Sequence, residues 1–456
     1  MYFKHEMFTI PSLNRKSKGP STGAYSMQNR AQEAQFIMDS IAISVPTTVG
    51  TPVKQNKIRT SILHLISFSQ EQKNAHDMMK IIHSIKVGIA LLIVSLLFLL
   101  DPLFEKVGEN AMWAIMTVVV IFEYYAGATL SKGLNRGMGT ILGGGLGCLA
   151  AIIAQEVGGL GKELLVGSSV FVFGTAATYI RMVPRIKMRY DYGAMIFIIT
   201  FNLIAVSGLR ADEVMELARQ RLSTIGMGFT VCIFTSILIF PLWASDELHY
   251  SIASKFETTA SSLEGCLEEY FKVDNEKEIQ LGASLNACKS VLHSKSKDET
   301  LANFARWEPW HGRFGLSHPW EKYLQIGEVL RELATTIFSM QGCIQSVVQS
   351  SSNTRQLIKE PCEAVGSILS WTLRDLGESI LKMKRCRPKV LISSKLQSVR
   401  LELDLATSPG NLGVLGHGDE LATPSFVFFL MEAMQKVEIL AKEIEELGEL
   451  ADFQNK

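Results

Sequence analysis

Residues 81–100 read IIHSIKVGIALLIVSLLFLL, and their length and composition decide the fold class. An α-helix of about 20 mostly apolar residues is ~30 Å long, the thickness of the hydrocarbon core of a bilayer. Five further stretches of similar length and composition follow. They cover residues 111–130, 138–154, 164–180, 192–208 and 222–243. The sequence therefore predicts an all-α membrane protein with six transmembrane helices.

The short segments between the predicted spans differ in charge. Lys and Arg are concentrated in residues 131–137 and 181–191, whereas acidic residues outnumber basic ones in residues 101–110 and 155–163. Because basic residues accumulate in cytoplasmic loops, the two basic segments are predicted to be cytoplasmic. With six spans, both termini are then cytoplasmic as well.

The parts of the chain outside the apolar block are polar. Residues 1–75 are rich in Ser, Thr and Gln, and we expect a mostly mobile N-terminal segment. Residues 76–245 form the predicted six-helix transmembrane domain. Residues 246–456 show helical periodicity without continuous apolar runs, which predicts a helical cytosolic domain.

Composition and motifs argue against several functional classes. The 456 residues carry 45 basic and 45 acidic side chains, and no basic stripe suggests a nucleic-acid partner. Enzyme signatures such as H-E-x-x-H, G-x-S-x-G and the P-loop are missing, so no enzyme activity is expected. The seven cysteines are scattered, so we expect neither a metal site nor a cofactor.

Glycines at four-residue spacing mark the third predicted span. Gly139, Gly143 and Gly147 share one helical face, which lets a neighbouring backbone approach closely. A nucleotide-binding glycine loop would need a preceding strand, and none is predicted. These glycines therefore indicate helix packing.

Charged residues within or beside the spans are the candidates for function. Glu123 lies inside the second predicted span, where we expect a basic or hydrogen-bonding partner and favour a structural ion pair. Lys86 lies inside the first span, and it either extends back to the interface or lines a pore. The basic loops have two explanations as well: ordinary orientation bias, or a ring of cations that lowers the barrier for an anion.

Three motifs resemble the plant aluminium-activated malate transporter family of anion channels. The first covers WAIMTVVV at residues 113–120 and GATLSKGLNRG at residues 127–137. The second is RYDYG at residues 189–193, and the third is RWEP at residues 306–309. The resemblance extends from about residue 81 to the C-terminus, and residues 1–75 show no convincing match.

The resemblance implies a homodimeric, passive channel for malate or related small anions in a plant membrane, the plasma membrane rather than the vacuolar membrane. An inorganic-anion channel of the same family and a secondary dicarboxylate exchanger are the alternatives. The motif Trp307, Glu308 and Pro309 is expected to couple the cytosolic domain to the gate. The candidate pore-lining cations are Lys86, Arg136, Arg181, Lys187, Arg189, Arg210 and Arg221.

Overall fold

The computed structural model describes most of the chain after residue 76. The described residues are 77–96, 99, 111–207, 214–271, 280–315, 317–346, 352–385, 394, 397–398, 400–401 and 422–454. The predicted N-terminal segment, residues 1–75, lies outside them. Residues 78–456 belong to one compact unit.

Twelve helices lie within the described residues, and β-structure there is limited to two isolated bridges. The first six are α1 (Asp77–Leu96), α2 (Ala111–Ile121), α3 (Ala126–Val157), α4 (Gly159–Met182), α5 (Pro184–Ser207) and α6 (Val214–Leu238). The other six are α7 (Ala244–Phe271), α8 (Gln280–Leu292), α9 (Lys295–Ala305), α10 (Trp320–Ser346), α11 (Ser352–Lys382) and α12 (Ala422–Leu450). The predicted all-α fold class is confirmed.

Five of the first six helices are long and apolar enough to cross a membrane. They are α1, α3, α4, the segment Arg189–Ser207 of α5 and the segment Arg219–Leu238 of α6. Helix α2 is apolar but has only 11 residues. The described part of the chain thus contains five candidate spans and one shorter apolar helix.

The second predicted span, residues 111–130, is not a single helix. Helix α2 ends at Ile121, and residues 122–125 are not helical. The last five residues of the predicted span form the beginning of α3. The prediction of a loop at residues 131–137 is also wrong, because α3 begins at Ala126 and includes these residues. Thr129 Oγ1 accepts the N–H of Glu123 at 3.0 Å, and the N–H of Ala126 donates to Leu242 O at 3.0 Å. These two bonds satisfy backbone groups that the interruption of the helix frees, and hydropathy does not reveal them.

The six apolar helices form two groups of three. Helices α1, α2 and α6 pack around buried side chains that include Ala90 and Cys232, whereas α3, α4 and α5 pack around Ala154 and Phe201. Among the described helices, the contact between α3 and α5 is the most extensive. The two groups together form one bundle of six helices, which we call the bundle, and it contains charged residues from several of these helices.

Helices α3 and α6 connect the two groups and run antiparallel. Gly133 of α3 faces the ring of Phe229 on α6. Closer to the start of α3, Ala126 meets Leu242, four residues beyond the end of α6. The start of α3 therefore lies at the end of the bundle where the chain passes into α7, and we call this end the α7 end.

Helices α7 to α12 share a separate apolar core. Ile252, Phe256 and Leu263 of α7 are fully buried in it, as the amphipathic pattern of that segment predicts. Tyr270 of α7 stacks on Phe426 of α12 with 3.7 Å between ring centres. Helix α7 follows the bundle in the chain, and it is part of this second core from its first residue, Ala244.

Candidate functional site

Arg136 is a buried cation on α3. Only 7% of its surface is exposed, and its Nη1 donates to the hydroxyl of Tyr192 on α5 at 3.1 Å. Its Nε has no hydrogen-bond partner, and no carboxylate among the described residues pairs with it. A buried guanidinium without a counter-charge keeps both its charge and an N–H available for an anion or a water molecule.

Lys86 and Arg221 are two further cations that the described residues leave without a carboxylate partner. Lys86 of α1 is fully buried, and its Nζ donates to Ser236 O at 3.3 Å and to Phe240 O at 3.4 Å. The Arg221 guanidinium lies 3.9 Å from the ring centre of Trp113 on α2, and its Nε and Nη1 have no hydrogen-bond partner. Along α6, Arg221 and Ser236 are ~22 Å apart at 1.5 Å per residue.

The three cations lie at different depths of the bundle. Arg136 is three residues beyond Gly133, whose position faces Phe229 on the antiparallel α6. It therefore lies at a depth between Lys86, near the α7 end, and Arg221, near the opposite end. Separate depths are what a pathway with several moderate sites requires.

Arg181 differs because its charge is matched. At the turn between α4 and α5, its Nε and Nη2 donate to the two carboxylate oxygens of Asp191 at 2.8 and 3.1 Å. Both side chains are about one-third exposed, at 34% and 37%. This parallel pair holds the turn, and it leaves little net charge there for a ligand.

The remaining candidate cations lie at or beyond the ends of the spans. Lys187 and Arg189 are exposed, and the Arg189 carbonyl accepts from Asn135 Nδ2 at 3.0 Å. The Arg189 guanidinium lies 5.2 Å from the ring centre of Trp307, within range of a cation–π interaction. Arg210 lies outside the described residues.

The glycines of α3 lie against α5. A Cβ atom at Gly143 would be 2.7 Å from Phe197 O, and one at Gly147 would be 3.1 Å from Ile204 Cβ. A Cβ at Gly139 would also clash with the α5 backbone. At these positions the helices approach too closely for any larger side chain.

Glu308 caps α7 from a distant part of the sequence. It lies in the WEP loop, which we define as residues 307–314, and it is only 4% exposed. Its two oxygens accept the N–H groups of Ala244 (2.6 Å) and Ser245 (3.2 Å), the first two residues of α7. Burial raises the pKa of Glu308, whereas these hydrogen bonds and the nearby His311 act in the opposite direction. A carboxylate at this position complements the positive end of the helix dipole.

The WEP loop also contacts the end of the bundle. The ring of His311 stacks on Trp243 with 3.8 Å between centres, and its Nδ1 donates to Pro309 O at 2.7 Å. A Cβ at Gly127, in the first turn of α3, would meet Glu308 Cγ at 2.7 Å. Together with the contact of Trp307 to Arg189, these interactions join the loop to α3, α5 and α7.

Sequence reasoning missed several partners in the site. Lys132 forms the ion pair with Glu123 that was expected of some basic residue, but it lies nine residues away, across the break. Tyr192 and Trp113 lie in the motifs at residues 189–193 and 113–120, and nothing in their spacing shows that they contact arginines on other helices. The pairing of Arg181 with Asp191 could have been suspected, because a ten-residue helix-turn-helix segment separates them.

Within the described residues, no three His, Cys, Asp or Glu side chains are close enough together to hold a metal ion. The six described cysteines are free thiols, and five of them are buried. Burial raises the pKa of Cys362 to about 12, so that this thiol is protonated at neutral pH.

Comparison with known proteins places these features in a family. Residues 72–407 match the family described as Aluminium activated malate transporter. Aluminum-activated malate transporter 12 of Arabidopsis thaliana is 42% identical over 316 residues, which are 69% of this chain and 56% of that protein. The chain thus spans a little over half the length of this relative.

Two other relatives from Arabidopsis thaliana are covered more fully. Aluminum-activated malate transporter 13 is 43% identical over 377 residues, 81% of this chain and 68% of the relative. Aluminum-activated malate transporter 2 is 38% identical over 384 residues, 83% of this chain and 77% of the relative. On these matches, the chain belongs to the aluminium-activated malate transporter family.

Proposed function

We propose that the chain is a passive anion channel, which conducts malate and related organic anions across a plant membrane along a pathway lined by cations. The observation that carries this proposal is Arg136, buried inside a candidate span without a carboxylate partner among the described residues. The names of the relatives support malate as the conducted anion.

The depths of the cations support conduction better than tight binding. An anion that moves past Lys86, Arg136 and Arg221 meets a positive charge at each of three depths. Arginine suits carboxylates because its planar guanidinium donates two parallel hydrogen bonds. Several moderate sites allow an anion to enter and to leave, which a single deep site prevents.

The other candidate cations take different parts in the proposal. Arg181 is a positioning residue, because Asp191 already matches its charge. Lys187 and Arg189 raise the local concentration of anions at the mouth of the pathway. Arg210, which lies outside the described residues, remains a candidate from the sequence.

The WEP loop is proposed to couple the C-terminal helices to the pathway. Glu308 holds the start of α7, and Trp307 contacts the guanidinium of Arg189. A shift of α7 would therefore reach α3 and α5 through one short segment. We further propose that residues 76–245 are the transmembrane domain and residues 246–456 a cytosolic domain, in a plasma-membrane homodimer whose termini are cytoplasmic.

Neutralising Arg136 tests the proposal. Two charges ~8 Å apart interact by about 2 kcal/mol at an effective dielectric constant of 20, a factor of roughly 30, so Arg136→Gln should reduce single-channel malate conductance by about tenfold or more. Arg136→Lys keeps the charge and should retain most of the conductance. The double variant Arg181→Gln/Asp191→Asn removes a matched ion pair at the turn between α4 and α5 without changing the net charge, and it serves as the control.

Purified variants in planar bilayers give the measurement, with size-exclusion profiles as the check of folding. If well-folded Arg136→Gln conducts malate like the wild type, Arg136 does not line the pathway. If chloride or nitrate passes much better than malate, the inorganic-anion alternative is favoured. If anion movement requires a counter-substrate in fixed ratio, the chain is an exchanger.

A further inference from the structure

Trp310 is the most exposed of the six tryptophans, all of which lie in described segments. Its exposed fraction is 75%, against 40% for Trp371. On either side of it, Glu308 is bonded to the start of α7 and His311 is stacked on Trp243. The surrounding loop is therefore tied down, and the large apolar ring points away from the protein.

The WEP loop lies at the level where the candidate spans end. Trp243, which stacks on His311, is five residues beyond Leu238, the last residue of a candidate span. Arg189 lies in the second turn of α5, which contains another candidate span, and its guanidinium reaches the ring of Trp307. The end of the α6 span thus places the loop beside the membrane boundary, and the Arg189 side chain of α5 reaches the same loop.

Helix α1 extends past this level. Lys86 lies nine residues and ~14 Å beyond Asp77, the first described residue of α1, and its Nζ bonds to Phe240 O. The end of α6 is therefore level with the interior of α1 and does not project beyond the bundle. Phe240 is itself 71% exposed there, and Arg313 of the WEP loop is an exposed cation without a carboxylate partner in the described part of the chain.

From this placement we infer that the WEP loop is a membrane-interface anchor, with the ring of Trp310 among the lipid headgroups and Arg313 facing lipid phosphates. The headgroup region on each side of a bilayer is only ~5–8 Å thick, and tryptophan is enriched in it because its ring is apolar with one polar edge. The occupant of this surface is lipid, since the loop continues the boundary of the spans. The segment that caps α7 is then held by the bilayer as well.

Quenching of tryptophan fluorescence tests this inference. The full-length wild type, Trp310→Phe and Trp371→Phe are each placed in phosphatidylcholine vesicles, with or without bromine atoms at a shallow acyl position. Brominated lipid should quench the emission difference between wild type and Trp310→Phe, and aqueous acrylamide should quench it weakly. The emission difference for Trp371, an exposed tryptophan on α11, should show the reverse pattern.

Two outcomes would overturn the inference. Quenching of the Trp310 component by acrylamide alone would place the ring in water. Quenching by neither agent would place it against protein, such as a second copy of the chain. If Trp310 contributes no emission, Trp310→Cys labelled with bimane answers the same question, with labelled wild type as background.

Discussion

Replacing Gly143 by alanine should destabilise the bundle, whereas the same replacement two residues further along α3 should not. A Cβ at Gly143 would lie 2.7 Å from Phe197 O and 3.1 Å from Phe201 N, while a Cβ at Gly145 meets nothing within 4 Å. The two sites share one helix and one chemical change. They differ only in what the added methyl group touches.

The magnitude follows from two opposing effects. Alanine is about 1 kcal/mol better than glycine inside a helix, and both variants gain this. At Gly143 the helices must separate by several tenths of an ångström before the contact with Phe197 O becomes ordinary, and such overpacking costs ~1–3 kcal/mol. Gly145→Ala should therefore be stabilised by up to ~1 kcal/mol, and Gly143→Ala should be the less stable of the two by ~2 kcal/mol.

The assay is thermal unfolding of the purified variants in one detergent, followed by tryptophan emission. A difference of ~2 kcal/mol corresponds to roughly 4–8 °C in Tm for a unit of 150–250 residues. Gly143→Ile should widen the gap. Equal Tm values for Gly143→Ala and Gly145→Ala would refute the close packing of α3 on α5.

Two predictions concern the C-terminal helices. Glu308→Ala leaves the first two N–H groups of α7 without their acceptor, which should cost ~2–4 kcal/mol of stability and lower Tm. Glu321→Ala is the control: it breaks an exposed ion pair with Arg306 and should change Tm little. Burial, together with the charge of His249, lowers the pKa of His318 to about 4, so the folded state resists its protonation. Stability should therefore be full above pH ~6.5 and fall as the pH drops towards 4, and His318→Phe should show a smaller loss of Tm between pH 7 and pH 5.

The helical class and most of the spans could be predicted because apolar runs of membrane length have few alternatives. Five of the six predicted stretches, residues 81–100, 138–154, 164–180, 192–208 and 222–243, lie largely within candidate spans. The second stretch could not be predicted correctly. Its break depends on Thr129 and Leu242, and hydropathy averages over such hydrogen bonds.

The candidate site was predictable only as a set of charges. Loop composition identified Arg136, Arg181 and Arg189, but it could not distinguish a buried unpaired guanidinium from one paired with a carboxylate. That distinction depends on Tyr192 and Asp191, which reach their partners only after the helices pack. The capping of α7 by Glu308 is likewise a long-range contact, across 64 residues.

The reversal potential of the purified wild type is the most direct test of passive malate conduction. In planar bilayers with a tenfold gradient of divalent malate as the main permeant ion, the current should reverse close to the malate equilibrium potential, about 30 mV from zero. Arg136→Gln should pass less current and still reverse near this potential. Absence of current in a folded wild-type protein, or a reversal potential that follows a coupled counter-ion, would contradict the account.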